Sequence, residues 1–228
     1  MSGLGALQAE ITECRRCPRL VAWREQVAVE KRAAFRAETY WGRPVPGFGD
    51  PDARILVVGL APAAHGANRT GRMFTGDRSG DWLYGALSRA GLANQPSSWS
   101  IDDGLTLRDA YVTAAVRCAP PQNAPTPAER DACAPFLLRE LALMPTVTVV
   151  VTLGAFGYEA LWRVWRDAGV ELPTPRPKFT HGLEVVTPRA TILGCFHPSQ
   201  QNTFTGRLTE PMIDAVFARA VELSGRAR

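Results

Sequence analysis

Short apolar runs alternate with helical patterns along most of this chain. Four unbroken runs predict strands at residues 54–59, 110–116, 147–153 and 191–196. The run at 147–153 consists of valine, threonine and leucine, which is typical of a strand that is buried on both faces of a parallel sheet. A shorter strand is predicted at residues 183–186.

Helical periodicity fills the intervals between these runs. Apolar spacing predicts helices at residues 3–13, 18–37, 78–90 and 155–168, and a last helix that begins at Thr209. The strongest signal comes from Thr126, Pro127 and Glu129, which form a capping box with proline at the first helical position. Residues 38–53 and 91–107 are predicted to be irregular. Strands that alternate with helices favour an α/β fold in which helices cover both faces of a parallel sheet.

Ligands of such folds bind beyond the carboxyl ends of the strands, where three loops of this chain carry reactive side chains. The first loop, residues 60–77, lacks the G-x-x-x-x-G-K-S/T and G-x-G-x-x-G patterns of nucleotide-binding loops. Its Asp77 is either a general base that orients water or the N-cap of the next helix. Its Phe74 is either a stacking platform for a flat ligand or a hydrophobic anchor of the loop.

The other two loops carry amides, hydroxyls and a histidine. Residues 117–125 contain Asn123, whose carboxamide either reads the hydrogen-bonding edge of a base or is a simple turn residue. Residues 197–208 begin with His197, one of three histidines, and end near Arg207. Such a set suits contact with phosphate beside a hydrogen-bond donor for developing negative charge.

Four of the five cysteines form two pairs, and Cys195 belongs to neither pair. Cys14 and Cys17 make a C-x-x-C motif, whereas Cys118 and Cys133 are a wider pair. Four thiolates are able to hold a zinc ion or an iron–sulfur cluster, although the wide second pair argues against a zinc ribbon. The alternative is that the second pair consists of buried small residues. Cys195 lies inside a predicted strand and is expected to be a core residue.

Composition changes this picture only slightly. The chain has 228 residues, an apolar fraction of 46% and a net charge of +4, so we expect one domain over residues 1–228. Lys31 and Lys178 are the only lysines among 26 basic residues; arginine suits phosphate contact, but codon bias explains most of the excess. No signal peptide and no apolar stretch of membrane-spanning length is evident, so we expect a soluble, cytoplasmic protein.

Long motifs in these loops resemble those of the family 5, or B-type, uracil-DNA glycosylases. The matching segments are GLAPAAHGANRTGRMFTGD at residues 59–77, RCAPPQN at 117–123, HPSQQNTFTGRLT at 197–209, CRRCPRL at 14–20 and PGFGD at 46–50. They occur in the family's order and span nearly the whole chain. The resemblance implies a uracil-DNA glycosylase-like fold of three α/β/α layers, with a central four-stranded parallel sheet.

The resemblance also implies an activity and a cofactor. The expected activity is base excision repair by a monofunctional glycosylase, which removes uracil and other deaminated bases, such as hypoxanthine and xanthine, from DNA. The expected cofactor is a 4Fe–4S cluster in an N-terminal segment, held by Cys14, Cys17, Cys118 and Cys133. We expect a monomer whose partner is DNA. The rival hypothesis is a non-catalytic iron–sulfur module that binds damaged or single-stranded DNA.

The family's motifs assign a role to each candidate residue. Asp77, Asn123 and His197 are the expected catalytic residues. Asn123 binds the Watson–Crick edge, His197 donates to uracil O2, and either Asp77 or backbone carbonyls of residues 60–66 position the water. The residues implied to bind substrate are Ala61, Ala63, His65, Phe74, Asn123, Ser199 and Arg207. Ala61 stands where most of the wider superfamily has an acidic or amide side chain, a departure that family 5 members share. This departure is also the best argument for the non-catalytic rival.

Overall fold

Helices and strands alternate along the computed structural model, which describes residues 3–225. The helices are α1 (Gly3–Thr12), α2 (Pro18–Glu30), α3 (Ala67–Thr70), α4 (Arg78–Arg89), α5 (Pro127–Leu143), α6 (Ala155–Asp167), α7 (Gln200–Phe204) and α8 (Glu210–Leu223). The strands are β1 (Phe48–Gly49), β2 (Ile55–Gly59), β3 (Ala110–Ala114), β4 (Val149–Leu153), β5 (Glu184–Val186) and β6 (Thr191–Cys195). Residues 1–2 and 226–228 of the predicted domain lie outside the described part of the chain.

The strands form one six-stranded sheet in the order β1-β3-β2-β4-β6-β5. The parallel neighbours β3, β2, β4 and β6 are the strands that the four long apolar runs predict. The prediction of a four-stranded sheet is nevertheless wrong about its extent, because antiparallel strands β1 and β5 extend it at both edges. β1 has only two residues in a segment rich in glycine and proline, so no apolar pattern marks it.

Helices cover both faces of the sheet and produce a three-layer α/β/α arrangement. α4 and α8 pack together on the face that carries Ile55 and Val57. α5 and α6 pack on the opposite face, which carries Leu56 and Val58. Every residue of β2 is buried, which explains its unbroken apolar sequence.

Two helices differ from the sequence-based expectation. The helix predicted over residues 18–37 ends at Glu30, because Lys31 takes a positive φ of 56° and a separate 3-10 turn follows it. α3 lies inside the first loop, where no apolar stripe signals it. The capping box of α5 forms as predicted, with both of its hydrogen bonds present. Within residues 3–225, no helix combines the length and the apolar character needed to cross a membrane.

Side chains from distant parts of the sequence attach the N-terminal helices to the rest of the fold. Gln8 donates from Nε2 to the carbonyl of Gly47 and to the hydroxyl of Tyr111, both at 3.1 Å. Arg19 forms an ion pair with Glu129 at 2.7 Å. These bonds connect α1 to β3 and α2 to α5, and therefore bring the first two cysteines toward the second pair.

Candidate active site and cysteine cavity

Three loops leave the same edge of the sheet, because β2, β3 and β6 run in the same direction. Hydrogen bonding continues beyond the ends of β2 and β3: Ala115 N–H donates to Gly59 O, and Val116 N–H donates to Leu60 O, both at 3.0 Å. The first two predicted loops therefore start side by side. The third loop starts after β6, on the far side of β4.

Phe74 and His197 bring the first and third loops together. Their ring centroids lie 6.0 Å apart, and their planes are inclined by 34°. Phe74 takes a positive φ of 53°. Its ring packs against Gly59, where an added Cβ would lie 2.7 Å from the ring atom Cζ. The glycine at the end of β2 thus leaves the space that this aromatic ring occupies.

His197 is held as a neutral imidazole. Burial lowers its pKa to about 4, because an environment of low polarity disfavours the imidazolium form. Asn202 Nδ2 donates to the backbone carbonyl of His197 at 2.8 Å and fixes the start of the loop. A neutral ring donates a hydrogen bond to a substrate oxygen without carrying a buried charge.

Asp77 caps α4 with one of its oxygens. Oδ1 accepts hydrogen bonds from the backbone N–H groups of Ser79 at 2.9 Å and Gly80 at 3.1 Å. Oδ2 faces Gly66, where an added Cβ would lie only 1.9 Å from it. Burial raises the pKa of Asp77, and the two backbone bonds oppose this shift. The cap therefore occupies Oδ1 and leaves Oδ2 directed at the loop that follows β2.

His65 belongs to the same loop and is oriented by Tyr40. The backbone N–H of Arg32 donates to the Tyr40 hydroxyl at 3.3 Å, and this hydroxyl lies 3.1 Å from His65 Nδ1. Burial, followed by the charges of Arg32 and Arg69, lowers the pKa of His65. In the tautomer whose Nδ1 accepts from the Tyr40 hydroxyl, the neutral ring carries its proton on Nε2 and presents a donor on its other side.

The third loop presents one exposed aromatic ring and one arginine, and a second arginine reaches it from the start of α4. Ser199 caps α7 by accepting a backbone N–H of that helix at 3.4 Å. Arg207 lies over the ring of Phe196 at 4.7 Å. Phe204 is 68% exposed, and Arg78 lies 4.4 Å above its ring. The sequence did not single out Phe204 or Arg78, because only the packed fold shows that α7 adjoins the start of α4.

The remaining predicted residues of the substrate site have no contact with the Phe74–His197 pair among the described interactions. Asn123 lies on an exposed turn and takes a positive φ of 55°, which asparagine tolerates. Ala61 packs, partly buried, against the residues around the cysteines. The carbonyl of Ala63 accepts from the N–H groups of Gly66 and Asn68. The predicted roles of these three residues stay predictions.

The cysteines predicted to bind metal come together in the fold. One cavity is lined by all four of them, Cys14, Cys17, Cys118 and Cys133. Within residues 3–225, no three His, Cys, Asp or Glu side chains form a group that fits a single metal ion. Burial raises the pKa of Cys118 to about 11 and that of Cys133 to about 12. Cys195 is fully buried in β6, as predicted for a core residue.

Sequence reasoning missed a set of buried arginines around these sites. Arg72 is 3% exposed; it pairs with Asp103 and donates to Thr75, so it supports the segment that carries Phe74. Arg117 and Arg24 are also buried, and both adjoin cysteines. An arginine in a short motif is usually taken as a surface or ligand-binding residue. For Arg24, the only local signal is its position between Leu20 and Val27 on the apolar face of α2.

A model of the uracil DNA glycosylase superfamily matches residues 46–220 of this chain. The match includes all three loops, whereas Cys14 and Cys17 precede it.

Individual relatives match almost the whole chain. A type-5 uracil-DNA glycosylase of Mycobacterium tuberculosis is 56% identical over 96% of this chain and 81% of its own length. One of Thermus thermophilus is 54% identical over 94% of this chain and 95% of its own. A third, of Pyrobaculum aerophilum, is 44% identical over 94% of this chain and 91% of its own length. The similarity therefore includes the N-terminal segment that the superfamily model does not cover.

Proposed function

The chain belongs to the uracil-DNA glycosylase superfamily, and on this premise we propose how its three loops hydrolyse the N-glycosidic bond of deoxyuridine in DNA. Removal of uracil from DNA follows from relatives with 54–56% identity that carry the name type-5 uracil-DNA glycosylase. The observation that carries the mechanism is the contact between Phe74 and a neutral His197 at the edge where all three loops begin.

The loops first bind a nucleotide that has rotated out of the duplex. Phe74 stacks on the flipped base, a contact worth about 1–3 kcal/mol per base. The carboxamide of Asn123 binds the Watson–Crick edge of the base. Because the residue is exposed, both the carbonyl oxygen and the NH2 group of this carboxamide are free to turn toward the base. His65 lies in the same loop as Phe74 and offers its Nε2–H as a hydrogen-bond donor.

The bond between C1′ of the sugar and N1 of uracil then breaks, and the electron pair stays on the base. His197 donates a hydrogen bond to uracil O2, where part of the negative charge develops. The low pKa of His197 keeps this donor neutral, so its proton stays on the ring when the uracil anion leaves. Its position beside Phe74 supports this role, because the ring that stacks on the base brings O2 close to the imidazole.

A water molecule supplies the hydroxyl group that completes the reaction at C1′. Asp77 Oδ2 accepts a hydrogen bond from this water and takes its proton as the new C1′–O bond forms. The raised pKa of Asp77 makes the carboxylate a stronger base than an exposed aspartate. Oδ1 stays bound to the helix, so Oδ2 is held in one place.

Substitutions at Asp77 separate the two uses of its carboxylate. Asp77→Asn keeps a good N-cap and removes the charge, so we expect a fall in single-turnover rate of about 10²–10⁴-fold with little change in melting temperature. Asp77→Ala also removes the cap, so it lowers the free energy of unfolding by about 1 kcal/mol in addition. Rapid-quench kinetics and urea unfolding measure the two effects. A normal rate for Asp77→Asn would leave Asp77 as a cap only.

The third loop holds the DNA around the flipped nucleotide. Arg78 lies over the ring of Phe204 and Arg207 over that of Phe196. Both arginines are exposed, and their guanidinium groups contact phosphates. Phe204 is the wedge that fills the gap left by the flipped base, because its ring is largely exposed and mounted on the capped helix α7. Ser199 acts through this cap and orients the helix.

The cysteine cavity offers the ligand set of a 4Fe–4S cluster. Four cysteines line it, and four cysteine thiolates are the ligands that such a cluster takes. Arg24 and Arg117 adjoin the cavity; Arg117 is paired with Glu140, whereas Arg24 donates to Cys118 and offers positive charge to the thiolates. When bound, the cluster supplies a structural cross-link between α2 and the segments that carry Cys118 and Cys133. The reaction described above uses no electron transfer.

Other deaminated bases are a natural extension of this substrate. Ala61 and Ala63 carry only methyl side chains, so these two positions of the first loop do not restrict the size of the base by bulk. We therefore include hypoxanthine and xanthine among the substrates. Their lactam groups present the same carbonyl and N–H pattern to Asn123 that uracil presents.

Release of the base tests the proposed function directly. Purified protein is incubated with end-labelled duplexes that contain one uracil, hypoxanthine, xanthine or thymine, then treated with alkali and separated on a denaturing gel. We expect strand breaks after alkali for the first three duplexes and none for thymine. Cleavage of uracil alone would contradict the broad substrate range. No cleavage by folded protein that still binds the duplex would favour the non-catalytic DNA-binding module.

A further inference from the structure

Three of the four buried arginines within residues 3–225 form a hydrogen-bonded ion pair with a carboxylate, and Arg24 is the exception. Arg72 pairs with Asp103 at 2.7 Å, and the two side chains are 3% and 10% exposed. Arg117 forms a bidentate pair with Glu140, and these are 1% and 0% exposed. A buried charge without such a partner is costly. Arg24 is equally buried at 2% exposure, but its partners are of another kind.

The guanidinium group of Arg24 faces the cysteines. Nη1 donates to Cys118 Sγ at 2.9 Å and to the carbonyl of Cys14 at 3.2 Å. The nearest carboxylate, Glu25, lies 3.7 Å from Nη2, is 43% exposed and is already bound by Arg15. Nε of Arg24 has no hydrogen-bond partner within residues 3–225. The hydrogen bonds of the Arg24 guanidinium thus go to a cysteine sulfur and a backbone carbonyl beside the cavity, and its one nearby carboxylate is exposed and shared.

We propose that Arg24 is the internal counter-charge of the iron–sulfur cluster and retains it in the protein. This inference rests on the proposed cluster. Four thiolates around a cluster carry net negative charge, and a guanidinium that donates to one ligand sulfur stabilises this charge where water is excluded. Arg24 is a positioning residue: it acts on the cluster through the sulfur of Cys118.

Arg24 also connects the cysteine cavity to the catalytic loop. Its backbone carbonyl accepts from Asn68 Nδ2 at 3.2 Å, and the same amide lies 3.4 Å from the carbonyl of Ala64. Asn68 is fully buried in α3, within the loop that carries His65 and Phe74. The Asn68 side chain thus links α2, which follows Cys17, to the first loop.

Arg24→Met and Arg16→Met form a matched pair of variants. Arg16 lines the same cavity but is 50% exposed, so its removal changes the net charge equally and leaves the sulfur contact intact. We expect Arg24→Met to lose iron roughly 10–100-fold faster than wild type during incubation with a chelator, followed by visible absorbance and iron per chain. Arg16→Met should lose iron at the wild-type rate. Equal loss from both variants, or wild-type retention by Arg24→Met, would overturn the proposal.

Melting temperatures separate this role from simple packing. In iron-loaded protein, Arg24→Met should lower the melting temperature. In iron-stripped protein it should lower the temperature less or raise it, because the cysteine cavity then no longer supplies negative charge to the buried guanidinium. Equal decreases in both forms would overturn the proposal.

Arg24→Lys keeps the charge and covers the case in which Arg24→Met does not fold. It is expected to lose iron more slowly than Arg24→Met, or more slowly than Arg24→Gln if the methionine variant is insoluble. Loss as fast as in the neutral variant would contradict a role for the charge. Wild-type protein that holds no iron after anaerobic purification and reconstitution would instead overturn the proposed cluster.

Discussion

His197→Ala lowers the single-turnover rate of uracil release by roughly 10²–10³-fold, the usual cost of removing one donor from a developing oxyanion. The affinity for uracil-containing DNA should change little, because the donor acts mainly when charge develops on the leaving base. Rapid-quench kinetics with enzyme in excess measure the rate, and fluorescence anisotropy measures the affinity. The neutral ring predicts a further property: protonation of His197 should not alter the wild-type rate between pH 8 and pH 5, because its pKa is about 4.

His181→Ala is the matched control for this substitution. His181 is the third histidine; burial lowers its pKa too, and its Nδ1 accepts from the backbone N–H of Phe196 at 3.2 Å. Its loss should reduce stability and leave the rate within a few-fold of wild type. A His197→Ala enzyme that is as fast as His181→Ala would remove His197 from the chemistry. A rate that falls as pH drops from 7 to 6 in parallel with imidazole protonation would contradict the neutral donor.

Cys118→Ala abolishes iron binding and lowers the melting temperature by more than about 5 °C, since the cross-link between α2 and the segment after β3 is lost. Cys195→Ala removes the same atoms from an equally buried cysteine that lies in β6, away from the cavity. It should keep the iron content and the visible absorbance of wild type, with a small loss of stability from packing. Iron analysis, absorbance and calorimetry on the two variants measure these effects.

The comparison also tests what the cluster does. If Cys118→Ala protein stays folded, we expect its α1 and α2 segments to exchange amide hydrogens faster, because the cross-link that the cluster supplies there is lost. A colourless, iron-free variant with wild-type stability and activity would show that the cavity has no structural cluster. Equal loss of iron from Cys195→Ala would show that iron retention does not depend on the four-cysteine set.

The main sheet and its helices could be predicted because burial dominates those segments. β4 is buried on both faces, and its unbroken valines show this directly in the sequence. Edge strand β1 could not be predicted, since two residues in a Gly-Pro segment pair only because β3 lies beside them. The early end of α2 depends on the positive φ of Lys31, which no local pattern demands.

The functional site likewise contains residues that the sequence makes visible and residues that only the folded structure reveals. His197 stands out in the sequence because it directly follows a strand, and Cys14 and Cys17 stand out by their spacing. The uses of Asp77 could not be separated, because the sequence does not show that each oxygen faces a different partner. Arg24 was missed because a charge on a helix is normally solvated. Only the packed fold places its guanidinium against Cys118.

The attachment of the N-terminal helices has a consequence for how the chain is made. Gln8 bonds to Tyr111, 103 residues later, and Arg19 bonds to Glu129, 110 residues later. A ribosome that adds roughly 5–20 residues per second needs about 5–20 s to reach these partners after α1 and α2 have been made. During that interval the two helices lack these two partners. They are therefore synthesised well before the segments that complete their burial.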